Sequence, residues 1–199
     1  MKNIILILFG IMAMISENTM AQAVSQNHKS LVVYYSRRGS NYRDGAIVDL
    51  KVGNTEVVAR KITAITGADT FRIETVTPYP EDYMETTQVA KRELADNARP
   101  AITGKVENMS EYDTIYLGYP NWWGTMPMAV FTFLESYDLA GKTIVPFCTH
   151  EGSAMGRSES DIRKVCPKSV VLKGLAIRGS KVDNSDKAIM EWIENAQKR

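Results

Sequence analysis

The chain has 199 residues, 44% apolar and 24% charged, with a formal net charge of +1. That length suits one domain with a full hydrophobic core, and the composition excludes a disordered chain or a membrane bundle. The near-neutral balance, without a long run of one sign, excludes the concentrated basic face of a nucleic-acid binder.

The amino-terminal stretch stands apart. Lys2 precedes an apolar run from Ile4 to Ile15, Glu17 and Asn18 end it, and Ala21-Gln22-Ala23 follows with small residues at the spacing signal peptidase prefers. The run is too short for a spanning helix, which needs roughly 17–25 residues. The expectation is a cleaved secretory signal over 1–23, cut near Ala23, with export to the periplasm and no membrane attachment afterwards. An uncleaved anchor is the alternative reading. Residues 24–30 form a short polar lead-in, and the domain runs from 31 to 199.

Leu31-Val32-Val33-Tyr34-Tyr35 reads as a strand covered on both faces. The helix over Thr55 to Thr66 places Val58, Ile62 and Ile65 on one side, with Asn54 or Thr55 as cap and Gly67 after its end. Between them, Arg37 to Gly53 far exceeds the usual 2–6 residues of a βα loop. It implies an insertion at about 40–53, within which 47–50 form a hairpin or strand. Thr70 to Ile73 is the second strand, and Pro80 opens a helix with Tyr83, Thr87, Ala90 and Leu94 on a shared face. Thr114 to Tyr119 is the third strand, and Pro127 opens a helix that turns Val130, Phe133 and Leu134 inward. Thr143 to Cys148 is the fourth strand, where Pro146 requires either a bulge or a missing ladder bond.

Gly156 to Val165 reads as a helix, and Val170 to Leu172 with Leu175 to Ile177 as an interrupted last strand. Asn184 caps a final helix whose stripe of Ile189, Trp192, Ile193 and Ala196 puts Trp192 in the core. Alternating strands and helices define an α/β parallel sheet with right-handed crossovers. Export permits a disulfide between Cys148 and Cys166, but two cysteines make no framework, and buried free thiols are the preferred reading. No metal is expected from these cysteines and two histidines.

Three loops leave the carboxyl edge of the strands, where such a sheet opens its crevice. Ser36-Arg37-Arg38-Gly39, resumed as Gly53-Asn54-Thr55, offers hydroxyls, an amide and a helix amino terminus, which suit a phosphate as well as they suit a plain capped helix. Tyr119 to Pro127 holds Trp122 and Trp123 side by side, and at least one of them should stay partly exposed to stack on a planar ligand. A packing lid or an interface patch is the rival explanation. Thr149-His150-Glu151-Gly152-Ser153 is small enough for a ring to approach its backbone, while His150 and Glu151 are either proton-transfer groups or ordinary loop residues. A hydrolase using Ser153 and His150 is disfavoured, because nothing orients the histidine.

Together these stretches resemble the flavodoxin-like superfamily, in its bacterial branch with a Trp-Trp-Gly loop. The matching runs are Val32 to Arg37, Val52 to Ala59, Gly118 to Pro127, Phe147 to Ser153 and Gly174 to Gly179. The resemblance implies a three-layer flavodoxin-like fold with a five-stranded parallel sheet of order 2-1-3-4-5, helices on both faces, and FMN at the switch point. It assigns Ser36, Arg37, Asn54 and Thr55 to the phosphate and Pro120, Asn121, Trp122, Trp123 and Gly124 to the ring. Thr149, Glu151, Gly152 and Ser153 fall on the other side. The insertion after Gly39 departs from the family pattern and separates Arg37 and Arg38 from Asn54.

The function so implied is FMN-dependent electron transfer or a quinone-reductase-like oxidoreductase, with an unidentified redox partner or small electron acceptor. No side chain is singled out as catalytic. The exposed aromatic loop is compatible with a homodimer. The alternative is a cofactor-free flavodoxin-like domain that uses this loop as a partner surface.

Overall fold

Alternate residues of the first apolar run belong to two different cores. Leu31, Val33 and Tyr35 pack on one side of the sheet, and Val32 and Tyr34 on the other, as the two-residue period of a strand dictates. The computed structural model describes residues 29–198; the expected signal over 1–23 and the lead-in as far as residue 28 lie outside them. In chain order the elements are β1 (Lys29–Tyr35), β2 (Gly39–Arg43), β3 (Ala46–Leu50), α1 (Asn54–Thr66), β4 (Asp69–Ile73), α2 (Tyr83–Ala95) and β5 (Tyr112–Pro120). There follow α3 (Met128–Glu135), β6 (Thr143–His150), α4 (Ser158–Val165), β7 (Val170–Val171), β8 (Leu175–Arg178) and α5 (Asp186–Gln197).

The main sheet runs β4-β1-β5-β6-β7, with β8 continuing the last position beside β6, and every pairing in it is parallel. This is the expected 2-1-3-4-5 order with its last strand split in two. Val58, Ala59 and Ile62 of α1 and Ile189 and Ile193 of α5 cover one face. Val130, Phe133 and Leu134 of α3 and Ile162 of α4 cover the other. Each such side chain removed from water contributes roughly 1.5–3 kcal/mol, so these two layers carry the fold. Trp192 is partly buried and lies edge-on to Tyr116 and Phe147, packing against this core from its margin.

Pro146 explains the split. Val170 N–H donates to the Lys142 carbonyl and Leu172 N–H to that of Ile144, so even-numbered residues of β6 face the last strand. The missing N–H of Pro146 therefore falls between β7 and β8, and its pairing with Leu117 of β5 continues without a register shift. The outcome is a lost ladder bond, not a bulge.

Four helix details differ from the sequence reading. The helix expected to open at Pro80 begins at Tyr83, because the Asp82 carboxylate accepts the Glu85 N–H and caps it. The one expected from Gly156 begins at Ser158, since Gly156 has a φ of 55°, outside the helical region. The last helix has Ser185 at its N-cap position, where the hydroxyl donates back to the Val182 carbonyl, and Asn184 is the end of a short 3₁₀ turn. Ile65 of α1 is exposed, so the buried face of that helix is Val58, Ala59 and Ile62. Gly67 does close α1 in the left-handed conformation.

The insertion forms the β2–β3 hairpin, a two-stranded sheet of its own, turned by Asp44 and Gly45, both with positive φ. Cys148 and Cys166 are buried free thiols, and burial raises their pKa values to about 12 and about 11. Among the described residues no helix is long and apolar enough to cross a membrane, and no three metal-ligating side chains gather.

Candidate functional site

The order in which successive strands are added reverses between β1 and β5, the point where loops leaving the carboxyl ends of such strands open a crevice. At the end of β1, the Ser36 hydroxyl accepts the Glu56 N–H at 3.1 Å and so caps α1 from outside. Gly53 is the N-cap residue and makes no side-chain bond, so neither Asn54 nor Thr55 plays the capping part expected of them. Both instead sit in the first turn, where free N–H groups and the helix dipole favour negative charge. Thr55 Oγ1 lies 2.7 Å from Thr149 Oγ1 at the end of β6, a buried contact that joins the first loop to the third.

The aromatic loop is a two-residue turn. Trp122 and Thr125 exchange main-chain bonds of 2.8 and 3.1 Å, and both residues between them have positive φ: Trp123 at 53° and Gly124 at 83°. Such a φ is rare for a bulky side chain and aims the indole away from the core. The two tryptophans thereby divide. Trp122 wedges edge-on against Tyr35 and Tyr79, with ring centroids 5.4 and 5.1 Å away. Trp123 stays exposed, and its Nε1–H donates to the Thr87 carbonyl of α2 at 2.9 Å. Asn121 is bound into the loops: its Oδ1 accepts the Gly124 N–H and its Nδ2 donates to the Ala154 carbonyl.

The hairpin and α2 supply the remaining wall. Arg37 donates to the main-chain carbonyls of Ser40, Pro80, Glu81 and Asp82, tying the base of the hairpin to the segment before α2. Its guanidinium is thus engaged by main-chain carbonyls of the protein itself, and Arg38 is exposed. At the hairpin tip, Glu151 Oε2 accepts the Asp44 N–H and lies 3.6 Å from Arg178 Nε. Glu151 Oε1 is buried and has no hydrogen-bond partner. His150 Nδ1 accepts the Gly152 N–H at 2.9 Å, and burial lowers its pKa, which keeps the ring neutral at pH 7.

These walls bound a cavity of about 450 Å³, within the roughly 300–1,000 Å³ usual for small-molecule sites. Ser36, Arg37, Asn54, Thr55 and Thr149 line it from the strand ends, and Pro120, Asn121, Trp122, Trp123 and Glu151 from the later loops. Gly124, Gly152 and Ser153 are not among its lining residues. The sequence reading did not assign Asn41 and Tyr42 of the hairpin, nor Tyr83, Met84, Thr86, Thr87, Gln88 and Ala90 of α2, all of which line it. For the hairpin the available signals were the over-long loop and Asp44-Gly45 between Tyr42 and Ile47, since Asp-Gly favours a tight hairpin turn.

A doubly wound parallel sheet with an open cavity at its reversal point defines a flavodoxin-like α/β protein. The sequence agrees: the flavodoxin family model matches residues 48–196, and the chain belongs to that family. Among solved structures it is similar to a Bacteroides eggerthii chain described as a flavoprotein, at 32% identity over 84% of this chain and 97% of that one, with a TM-score of 0.69. A Bacteroides uniformis counterpart is 29% identical over 84% and 98%, with a TM-score of 0.68. A Lactobacillus acidophilus flavoprotein, solved in complex with FMN, shares the fold at 22% identity over 79% and 97%, with a TM-score of 0.58. No curated protein matches the chain.

Proposed function

We propose that the chain binds FMN in this cavity and works in electron transfer, delivering electrons to a small acceptor as an exported flavoprotein. The observation that carries the reading is the composition of the cavity, which joins a hydroxyl-lined helix amino terminus to an aromatic turn. The residues fit the cofactor. Asn54, Thr55 and Thr149 and the first-turn N–H groups of α1 would hold the phosphate without a cation. Glu151 Oε1, a buried acceptor lacking a partner, suits a hydroxyl of the ribityl chain. Trp123 offers its indole to the ring from a turn already fixed by the bond to Thr87. FMN, once bound, supplies the redox chemistry; the protein orients it and excludes water from it.

The test is the visible absorption of the purified chain before and after FMN is added. Flavin bands that stay with the protein, and FMN released on denaturation, are the expected result. Trp123→Ala should weaken FMN binding about 2- to 12-fold, the equivalent of roughly 0.5–1.5 kcal/mol of aromatic stacking. A colourless protein that ignores saturating FMN would turn the reading to the cofactor-free domain, with the aromatic turn as a partner surface.

A further inference from the structure

Asp161 of α4 is only 9% exposed, and a carboxylate so buried is costly unless it is paired and hydrogen-bonded. Its Oδ2 accepts the Thr125 hydroxyl at 2.7 Å and lies 3.1 Å from Arg157 Nε, while Lys164 Nζ stands 3.8 Å from Oδ1. Arg157 and Lys164 belong to the same stretch of chain as Asp161. Thr125 does not: it closes the aromatic turn, and it is itself 1% exposed.

Other contacts run alongside this bond. Arg157 N–H donates to the Gly124 carbonyl at 2.8 Å, and Asn121 Nδ2 donates to that of Ala154 at 2.8 Å. A Cβ on Gly156 would come within 2.2 Å of the Gly124 oxygen, so the two backbones touch here. Just before the turn, Tyr119 Oη donates to Ser158 Oγ at 2.9 Å. The turn and the start of α4 therefore form one bonded unit. Within it, the Thr125 bond ends on a carboxylate, and such charge-assisted bonds are roughly twice as strong as neutral ones. Neither Thr125 nor Asp161 lines the cavity, so neither touches what is bound there.

We infer that Thr125 and Asp161 are positioning residues, a buried pair that fixes the aromatic turn, and with it both tryptophans, before any ligand arrives. Trp123 needs such support, because its φ of 53° is one that a bulky residue rarely adopts. A turn released from Asp161 is free to leave that conformation, and the indole must then be ordered again on binding. Rigid walls remove that cost beforehand. The consequence for cofactor affinity rests on the FMN reading; the fixing of the turn does not.

The experiment compares the full chain with Thr125→Val, Asp161→Ala and Asp161→Asn, and uses Gly67→Ala as a fold control. Near-ultraviolet circular dichroism of the flavin-free protein reads the tryptophans directly. Thr125→Val and Asp161→Ala should lose tryptophan band intensity. Asp161→Asn, whose amide oxygen can still accept from Thr125, should restore it, and Gly67→Ala should leave it unchanged. In FMN titrations the first two variants should bind about five- to tenfold more weakly, and the other two close to wild type. Should Asp161→Ala fail to fold, Thr125→Val decides, since valine keeps the shape of threonine without its hydroxyl. Wild-type tryptophan bands in Thr125→Val would overturn the proposal, whatever its FMN affinity. An equal loss of bands in Gly67→Ala would overturn it too, by reducing the pair to general stability. A chain that never takes up FMN overturns the flavin reading, while the tryptophan bands still decide the positioning of the turn.

Discussion

Gly118→Ala should destabilise the fold by about 3 kcal/mol, the upper part of the range for overpacking a well-filled core. Gly118 of β5 pairs directly with Phe147 of β6, and the phenyl ring lies over the glycine. A Cβ at 118 would come within 2.1 Å of Phe147 Cζ and 2.4 Å of Cε2. The ring has nowhere to retreat, because it is fully buried and packs edge-on to Trp192. The remedy identifies the cause. Phe147→Leu alone should cost about 1–2 kcal/mol as a smaller side chain leaves a void, but in the Gly118→Ala background it should recover much of the loss. Urea unfolding of the four proteins measures this, and strictly additive effects would show that the clash is not the source.

Gly53→Ala should strike the site instead. A Cβ there would meet Ser36 Oγ at 2.3 Å and the Arg37 carbonyl at 2.4 Å, both at the junction where β1 ends and α1 begins. Ser36 can yield only by giving up its bond to the Glu56 N–H, a loss comparable to a helix cap at about 1 kcal/mol. The shift also moves Asn54 and Thr55, so FMN should bind at least about tenfold more weakly. Gly67→Ala provides the comparison at the other end of the same helix. Its φ of 68° makes alanine unfavourable, yet nothing lies within 4 Å of the new carbon. That variant should lose about 1 kcal/mol of stability and keep its FMN affinity. Equal FMN affinities in both variants would break the link between this junction and the cofactor.

The sheet was legible because its signals are local. Leu31 to Tyr35 is apolar throughout, and the helices repeat their apolar residues at helical spacing, so strand order follows from alternation and handedness. Helix starts were less legible because caps depend on distant partners. Pro80 looks like a first-turn residue, but its carbonyl accepts from Arg37 and from Thr86 Oγ1, and the helix waits for Asp82. The same holds for the site. Loops of unusual composition announced themselves, above all the paired tryptophans, whereas Tyr83 and Thr87 read as one side of an amphipathic helix. Tyr42 could not be placed at all, since the hairpin's position is decided by Arg37, Glu151 and Arg178 across long stretches of chain. Gly124 and Gly152, assigned to the ring's surroundings by the resemblance, stand outside the cavity lining, and their N–H groups donate to Asn121 and His150.

That hairpin has a consequence for the order of assembly. Its strands meet over a turn of two residues, a local event of microseconds, but a lone two-stranded ribbon is marginal in water. What holds it in place lies far along the chain: the carbonyls of residues 80–82, Glu151 beyond β6, and Arg178 at the end of β8. Those partners exist only once the parallel sheet has closed its long crossovers, the slow step for such a topology. The hairpin therefore docks late, onto a finished core. Its ties at the tip are the exposed Asp44–Arg178 ion pair, worth roughly 0–1 kcal/mol, and one hydrogen bond from the Asp44 N–H to Glu151, so it can also lift away without unfolding what lies beneath.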